Sequence, residues 1–325
     1  LRQEQESEKN SMLLKNIGIE KSDGKGKSSL LINKEKILGG GFEFSICWVI
    51  ALPSEARPII SAFKLTKTDD EAVFPIYKNE VTGQLLIISG IGQMNAAAAT
   101  SYICGRYNVP AWVAWINIGI AGYAQEPLGK LFQVAKVTNE RETRVAYPGF
   151  RLSKLMPLTT LVTREQPCND YKTDTLYDME GLAFAELASR FSCNELTFLF
   201  KVVSDTNAKQ LRRIKPSYVE KLLAQNMRTI FLLVDEVKEL VKEEKRRLDI
   251  SNDVKGVVSK FHFSASRKVQ LVQKYRRWKT AFPNTPFSKA CAHAKSAGDV
   301  IHTLDEMLIS AAVSYTHLRA HETCT

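Results

Sequence analysis

Residues 84–120 read QLLIISGIGQMNAAAATSYICGRYNVPAWVAWINIGI, and their order decides the fold class. An apolar, β-branched run at 84–89 ends in Ser89-Gly90-Ile91-Gly92. A stretch rich in helix formers follows at 93–106, and a second apolar run occupies 112–120. Strand, glycine turn, helix and strand in that order predict a parallel β-α-β unit. The same alternation extends outward in both directions. Further strand-like runs lie at 44–51, 131–137, 158–163 and 197–203, with helical stretches at 54–64 and 179–192. The expectation is an α/β domain whose sheet is at least partly parallel and buried on both faces. Such sheets bind ligands beyond the carboxyl ends of their strands. Glu55, Gly90, Gly119 and Asp205 all fall at or just past predicted strand ends.

Composition narrows what this domain can be. The 325 residues are 44% apolar and 25% charged, ordinary values for a globular chain with one large core or two modest ones. No apolar run reaches the 18 or so residues needed to span a bilayer, and the charged start lacks the apolar stretch of a secretory signal, so a cytoplasmic location and no membrane partner are expected. Six cysteines (47, 104, 168, 193, 291, 324) show no zinc-type spacing and read as reduced, mostly buried thiols. The net charge of +10 is uneven: residues 1–205 balance at 23 cations and 23 carboxylates, whereas 206–325 hold 22 against 12. A basic segment of that kind either binds phosphate backbones or is a solvated helix face, and the alternation in Glu239 to Arg247 (ELVKEEKRR) fits the second reading.

Four segments follow. Residues 1–42 are polar, end in Gly39-Gly40-Gly41 and are expected to be disordered. Residues 43–248 form the α/β domain, which a long amphipathic helix with apolar positions from 219 to 241 would close. That helix is expected to start at a capping box, Ser217-Tyr218-Val219-Glu220, after Pro216. Residues 249–313 read as a basic helical accessory region containing FHFSASRKVQLVQKYRRW at 261–278. The end, SYTHLRAHETCT at 314–325, resembles translated sequencing-adapter readthrough and is expected to be an artefactual or disordered tail.

The five histidines, at 262, 293, 302, 317 and 321, all lie beyond the α/β domain, which excludes a Ser-His-Asp or Cys-His mechanism built within it. Carboxylates remain. Glu55 follows an apolar run in Ala51-Leu52-Pro53-Ser54-Glu55-Ala56, Glu180 opens an apolar helix in Asp178-Met179-Glu180-Gly181, and Asp205 ends an apolar strand after Ser204. Cleavage of an N-glycosidic bond suits such a set, because positive charge builds on the sugar while the leaving base takes a proton.

These segments, with the Ser89–Gly92 turn, resemble the purine nucleoside phosphorylase and nucleosidase superfamily over roughly residues 44–245. Within it the 5′-methylthioadenosine/S-adenosylhomocysteine nucleosidases are most similar. The resemblance implies a three-layer fold, a central mixed sheet flanked by helices, to which the C-terminal helical appendage is added. It implies hydrolysis of a 5′-modified adenosine (5′-methylthioadenosine, S-adenosylhomocysteine or 5′-deoxyadenosine), no metal or organic cofactor, and a homodimer whose neighbouring subunit helps enclose the 5′ substituent. Carried over residue by residue, Glu55 activates the attacking water and Asp205, after Ser204, protonates N7 of the purine. Met179 packs on the ribose and Glu180 accepts from its hydroxyls. Ser89, Gly90, Ile91 and Gly92 let the backbone approach the ligand, as does Gly119 in Asn117-Ile118-Gly119-Ile120-Ala121-Gly122. Lys201 stands where the family has an arginine four residues before the acid, and Ile120 where it has a serine. The backbone that holds the adenine is expected near Thr163 to Cys168.

Other readings of the same residues stay open. Ser89–Gly92 could be a dinucleotide fingerprint, but that needs a carboxylate about twenty residues on, and none lies between Glu80 and Glu126. Glu55 alone could be a solvated first-turn residue, and Asp205 a helix N-cap. Phosphorylases use an arginine and a serine where Asn117 and Ile120 stand, so little is left to hold a phosphate dianion and water is the expected nucleophile. A phosphate-dependent phosphorylase is the alternative, as is a catalytically degenerate domain that binds nucleosides or, through the basic C-terminal region, nucleic acid.

Overall fold

The computed structural model describes residues 43–68, 71–125, 127–152, 156–166, 171–172, 174–207, 210, 214–248 and 252–322. The expectations for 1–42 and for Pro167 and Cys168 lie outside them. In chain order the elements are β1 (Ile46–Ile50), α1 (Pro53–Ala62), β2 (Thr66–Lys67), β3 (Ile76–Asn79), β4 (Gln84–Ile88), α2 (Gln93–Tyr107), β5 (Ala114–Tyr123), β6 (Leu131–Asn139), β7 (Val145–Ala146), β8 (Leu158–Thr163), β9 (Thr175–Asp178), α3 (Gly181–Phe191), β10 (Thr197–Asp205), α4 (Pro216–Gln225) and α5 (Met227–Leu248). Helices α6 (Asn252–Lys260), α7 (Ala265–Ala281), α8 (Phe287–Ala290) and α9 (Ala297–Glu322) follow.

The parallel core runs β4-β1-β5-β10, with β1 paired to β4 and β5, and β5 to β10. The carboxyl ends of these four strands therefore share one edge. Beyond them the sheet is mixed: β3 is antiparallel to β4, and β10 is antiparallel to β6. Strands β6, β8 and β9 then run parallel, and β9 returns antiparallel to β5 at Gly122 and Tyr123. Five strands thus close into a ring beside the open parallel part. That closure depends on the four residues of β9, too short a run to announce itself in sequence.

Each strand feeds two cores because side chains alternate across a pleated sheet. Ile46, Trp48 and Ile50 of β1 join Phe198, Phe200 and Val202 of β10 under α1, α4 and α5. Cys47 and Val49, with Leu199 and Val203, face α2 and α3 instead. Helix, sheet and helix make the three layers. A third core contains only residues after 252: Leu271, Tyr275 and Trp278 of α7 pack with Phe287, Val300 and Leu304. Among the described residues no helix is long and apolar enough to cross a membrane.

Two local expectations are corrected. The long closing helix is interrupted at Asn226, whose side-chain amide bonds the Gly129 carbonyl at 2.9 Å. The capping box at Ser217 is not formed: Lys215 is the N-cap, Pro216 occupies the first turn, and Glu220 reaches Arg57 at 2.5 Å instead. The tail from 314 continues α9 as a helix to Glu322, a course that Leu318, Arg319 and Ala320 favour.

Candidate active site

Proline at the start of α1 leaves Glu55 in the first turn, where its carboxylate turns back over the end of β1. Oε2 accepts the Leu52 amide at 2.9 Å, and Oε1 crosses to the Ile120 amide of β5 at 2.8 Å. Glu55 is 3% exposed, so the solvated first-turn reading is replaced by a buried carboxylate held at both oxygens. Gly119 makes room for it: a Cβ there would stand 2.6 Å from Oε1. Gly119 lies inside β5 rather than at its end, because β5 runs on to Tyr123. Burial pushes the Glu55 carboxyl up, against the Ile120 amide and the Lys201 charge, which favour its ionised form.

Glu180 sits at the N-cap of α3 and accepts the Gly92 amide at 2.7 Å. Gly92 presents that amide with φ 100°, a left-handed conformation that favours glycine. The Glu180 carboxyl is pushed up to about 7, first by burial and then by the neighbouring Asp178 charge.

Beneath these two glutamates lies a buried ion pair. Lys201 Nζ is 2.9 Å from Asp178 Oδ2, with the two side chains 2% and 1% exposed. The same ammonium donates to Asn117 Oδ1 at 2.7 Å, and Asn117 Nδ2 donates to the Val49 carbonyl at 2.8 Å. Asp178 also accepts from Thr163 Oγ1 at 2.7 Å and from the Gly181 amide at 2.8 Å. Burial acts to lower the Lys201 ammonium, and the Asp178, Glu180 and Glu55 charges more than offset it, leaving it above its ordinary value. One cation thus serves three carboxylates.

Asp205, fully buried at the end of β10, completes the site. Its Oδ1 accepts from Ser204 Oγ at 2.5 Å and its Oδ2 from the Tyr171 hydroxyl at 2.5 Å. The Tyr171 ring stacks on Tyr177 at 5.2 Å, and the Arg164 guanidinium lies 5.0 Å from the Tyr177 centroid while pairing with Glu140 at 3.0 Å.

These groups surround a cavity of about 210 Å³ lined by Glu55, Glu180, Asp205, Met179, Ser204 and Ile91, with Asp178, Ile120, Arg164, Gln166, Tyr171 and Tyr177 among the other walls. The structure therefore brings together carboxylates from three distant chain segments. It places the remaining sequence-derived site residues differently. Ser89 turns its hydroxyl to the Gly90 carbonyl at 2.8 Å. Gly90, Gly92 and Gly119 contribute backbone shape rather than cavity surface. Lys201 lies outside the lining: on the inward face of β10 its ammonium is taken up by the buried Asp178 carboxylate and the Asn117 side chain. Asp178 and Asn117 were legible as motif members without a role, whereas nothing in the sequence marks Tyr171, which reaches Asp205 only through tertiary folding. Among the described residues, no group of three or more His, Cys, Asp or Glu is placed to hold a metal ion.

The assembled fold has counterparts among solved structures. The chain is similar to a crystal structure of 5′-methylthioadenosine/S-adenosylhomocysteine nucleosidase from Helicobacter pylori with butyl-thio-DADMe-Immucillin-A. The TM-score is 0.50 and the identity 14%, over 62% of this chain and 99% of that one. A futalosine hydrolase mutant of Helicobacter pylori strain 26695 gives a TM-score of 0.50 at 12% identity, over 60% of this chain and 100% of that one. At this identity the likeness is one of fold: about three fifths of the chain has the three-layer α/β architecture of these nucleosidases. No protein-family model and no curated protein matches the chain.

Proposed function

We propose that the chain is a nucleosidase that hydrolyses the N-glycosidic bond of a 5′-modified adenosine, releasing adenine. The convergence of Glu55, Glu180 and Asp205 on one cavity carries this reading. Burial makes Glu55 a stronger base than a solvated carboxylate, suited to taking a proton from water attacking C1′. The second oxygen of Glu180 is available to ribose hydroxyls, beside Met179. The C1′–N9 bond breaks with its electron pair passing to the purine, and Asp205 supplies the proton that N7 gains. Ser204 and Tyr171 hold the Asp205 carboxyl in place, and a hydroxyl partner that turns to accept leaves one Asp205 oxygen to carry the proton that is transferred. Water is favoured over phosphate because the cavity is walled by carboxylates and Asn117, where phosphorylases have arginine, is buried against Lys201. Ile91 and Met94, 51% and 85% exposed, support a homodimer in which a second subunit covers these apolar side chains.

Arg164, the one cation among the described residues lining the cavity, favours a second substrate class, nucleosides with an anionic substituent. Adenine release from 5′-methylthioadenosine, S-adenosylhomocysteine and 5′-deoxyadenosine in phosphate-free buffer tests the proposal, and base release from futalosine tests the anionic class. Turnover that requires added phosphate replaces hydrolysis with phosphorolysis, and no turnover of any of them under either condition overturns the enzymatic reading.

A further inference from the structure

Asp205 has no exposed surface, and each of its oxygens already holds a hydroxyl, Ser204 on Oδ1 and Tyr171 on Oδ2. A purine nitrogen comes within hydrogen-bond distance of this carboxyl only by displacing one of them. Ser204 belongs to β10, is 2% exposed and lies 3.3 Å from the Ala121 carbonyl, to which its hydroxyl also donates. Tyr171 belongs to neither a strand nor a helix and is half-buried at the cavity wall. Of the two, Tyr171 is the one that can leave. Its ring fills a slot with three walls. Tyr177 forms the side, with ring centroids 5.2 Å apart and planes 18° from parallel. Gly122 forms the floor, where a Cβ would stand 2.3 Å from the Tyr171 hydroxyl oxygen, and Asp205 closes the far end at 2.5 Å.

We infer, on the reading of Asp205 as the acid, that Tyr171 is a built-in occupant of the base subsite, an internal competitor that the nucleoside displaces before it reacts. The slot suits a flat aromatic ring with a hydrogen-bonding atom on its edge. A purine meets that description as a phenol does: its face stacks on Tyr177 and an edge nitrogen takes the place of the hydroxyl on Asp205. Tyr177 is a fixed platform, with the Arg164 guanidinium 5.0 Å from its centroid and its hydroxyl accepting the Lys172 amide at 3.0 Å. That bond, with Thr159 Oγ1 on the Asp174 carbonyl at 3.2 Å, anchors the backbone just after Tyr171. Rotation of the side chain therefore clears the slot without unfolding the segment. In the empty site the phenol keeps the Asp205 carboxyl in place, and the base takes over that contact on entering. The apparent dissociation constant is then the intrinsic one divided by the fraction of molecules with the ring out. A hydrogen bond to a charged group biases such an equilibrium by about tenfold or more. Tyr171 thereby sets specificity, since only a ring that offers Asp205 an edge nitrogen regains what the phenol gives up.

The test is titration calorimetry of adenine with the full chain, comparing the wild type with Tyr171→Phe, Tyr171→Ala and Ser204→Ala, each checked for folding by circular dichroism. Tyr171→Phe keeps the ring and loses only the bond to Asp205, so it should bind adenine about tenfold more tightly than the wild type. Tyr171→Ala, which empties the slot, should bind at least as tightly as Tyr171→Phe, and the Phe variant decides the matter should the Ala variant unfold. Ser204→Ala should bind no more tightly than the wild type, because Ser204 stands beside the slot and not in it. Adenine binding to Tyr171→Phe that equals or falls below that of the wild type makes Tyr171 a positioning residue for Asp205 and overturns the inference alone. Equal tightening in Ser204→Ala also overturns it, since the gain then comes from freeing the carboxyl. Adenine that binds none of the four proteins overturns the inference together with the nucleosidase reading.

Discussion

Replacing Lys201 by Met keeps the length and apolar stem of the side chain and removes only the buried ammonium. Asp178 then retains its bonds from Thr163 and Gly181 but loses its cation at 2.9 Å, and Asn117 loses its donor at 2.7 Å. Breaking a buried pair from one side leaves an uncompensated charge and costs about 3–5 kcal/mol. For a domain of this size that is a fall in Tm of about 6–20 °C. Removing the charge on the other side as well should restore much of the loss, so the Lys201→Met, Asp178→Asn double variant should be more stable than Lys201→Met alone. Denaturant titrations of the wild type, both single variants and the double variant at pH 7 measure the cycle. A catalytic consequence accompanies it. Lys201 favours the ionised forms of Glu55 and Glu180, so its removal pushes both carboxyls further up and moves the acid limb of kcat/KM to higher pH. A loss of less than about 1 kcal/mol, or single costs that simply add in the double variant, would refute the reasoning.

Glu180→Gln should be relatively more stable than the wild type as pH rises. A carboxyl raised from 4.5 to about 7 gives stability that is present below the lower value and lost as pH climbs through the upper one. A neutral amide escapes that loss, so the variant's advantage in melting temperature should grow between about pH 5 and 8, by roughly 3 kcal/mol of stability. A gap that does not change with pH removes the assignment. Gly119→Ala should lower kcat far more than Tm, because the new Cβ displaces a Glu55 held by two amides; steady-state kinetics beside thermal melts measure both. Asp205→Asn should abolish nucleoside turnover while equilibrium binding of the nucleoside stays within a few fold, and wild-type rates in that variant exclude Asp205 as the acid.

Much of the parallel core was readable from residues 84–120 and the apolar runs around them, because continuous burial of a strand on both faces leaves an unbroken apolar signature. Boundaries moved by a few residues where tertiary pairing extended a strand, as in β5 and β10. The break at Asn226 went unseen, since apolar periodicity continues across it and only the Gly129 carbonyl opposite explains the side-chain bond. Among the candidate site residues, Glu55, Glu180 and Asp205 could be found because their motifs together carry the resemblance; taken alone, Glu55 also fits a solvated first turn and Asp205 a helix N-cap.

Local pattern by itself determined the alternation of strands and helices, the exclusion of histidine chemistry from the α/β domain and the three acidic positions, since each follows from residue type and spacing along the chain. Which charges meet was decided only in three dimensions. Lys201 beneath Asp178, Tyr171 on Asp205 and Glu55 across to Ile120 join residues far apart in sequence, and their energies depend on burial and on separations of about 3 Å.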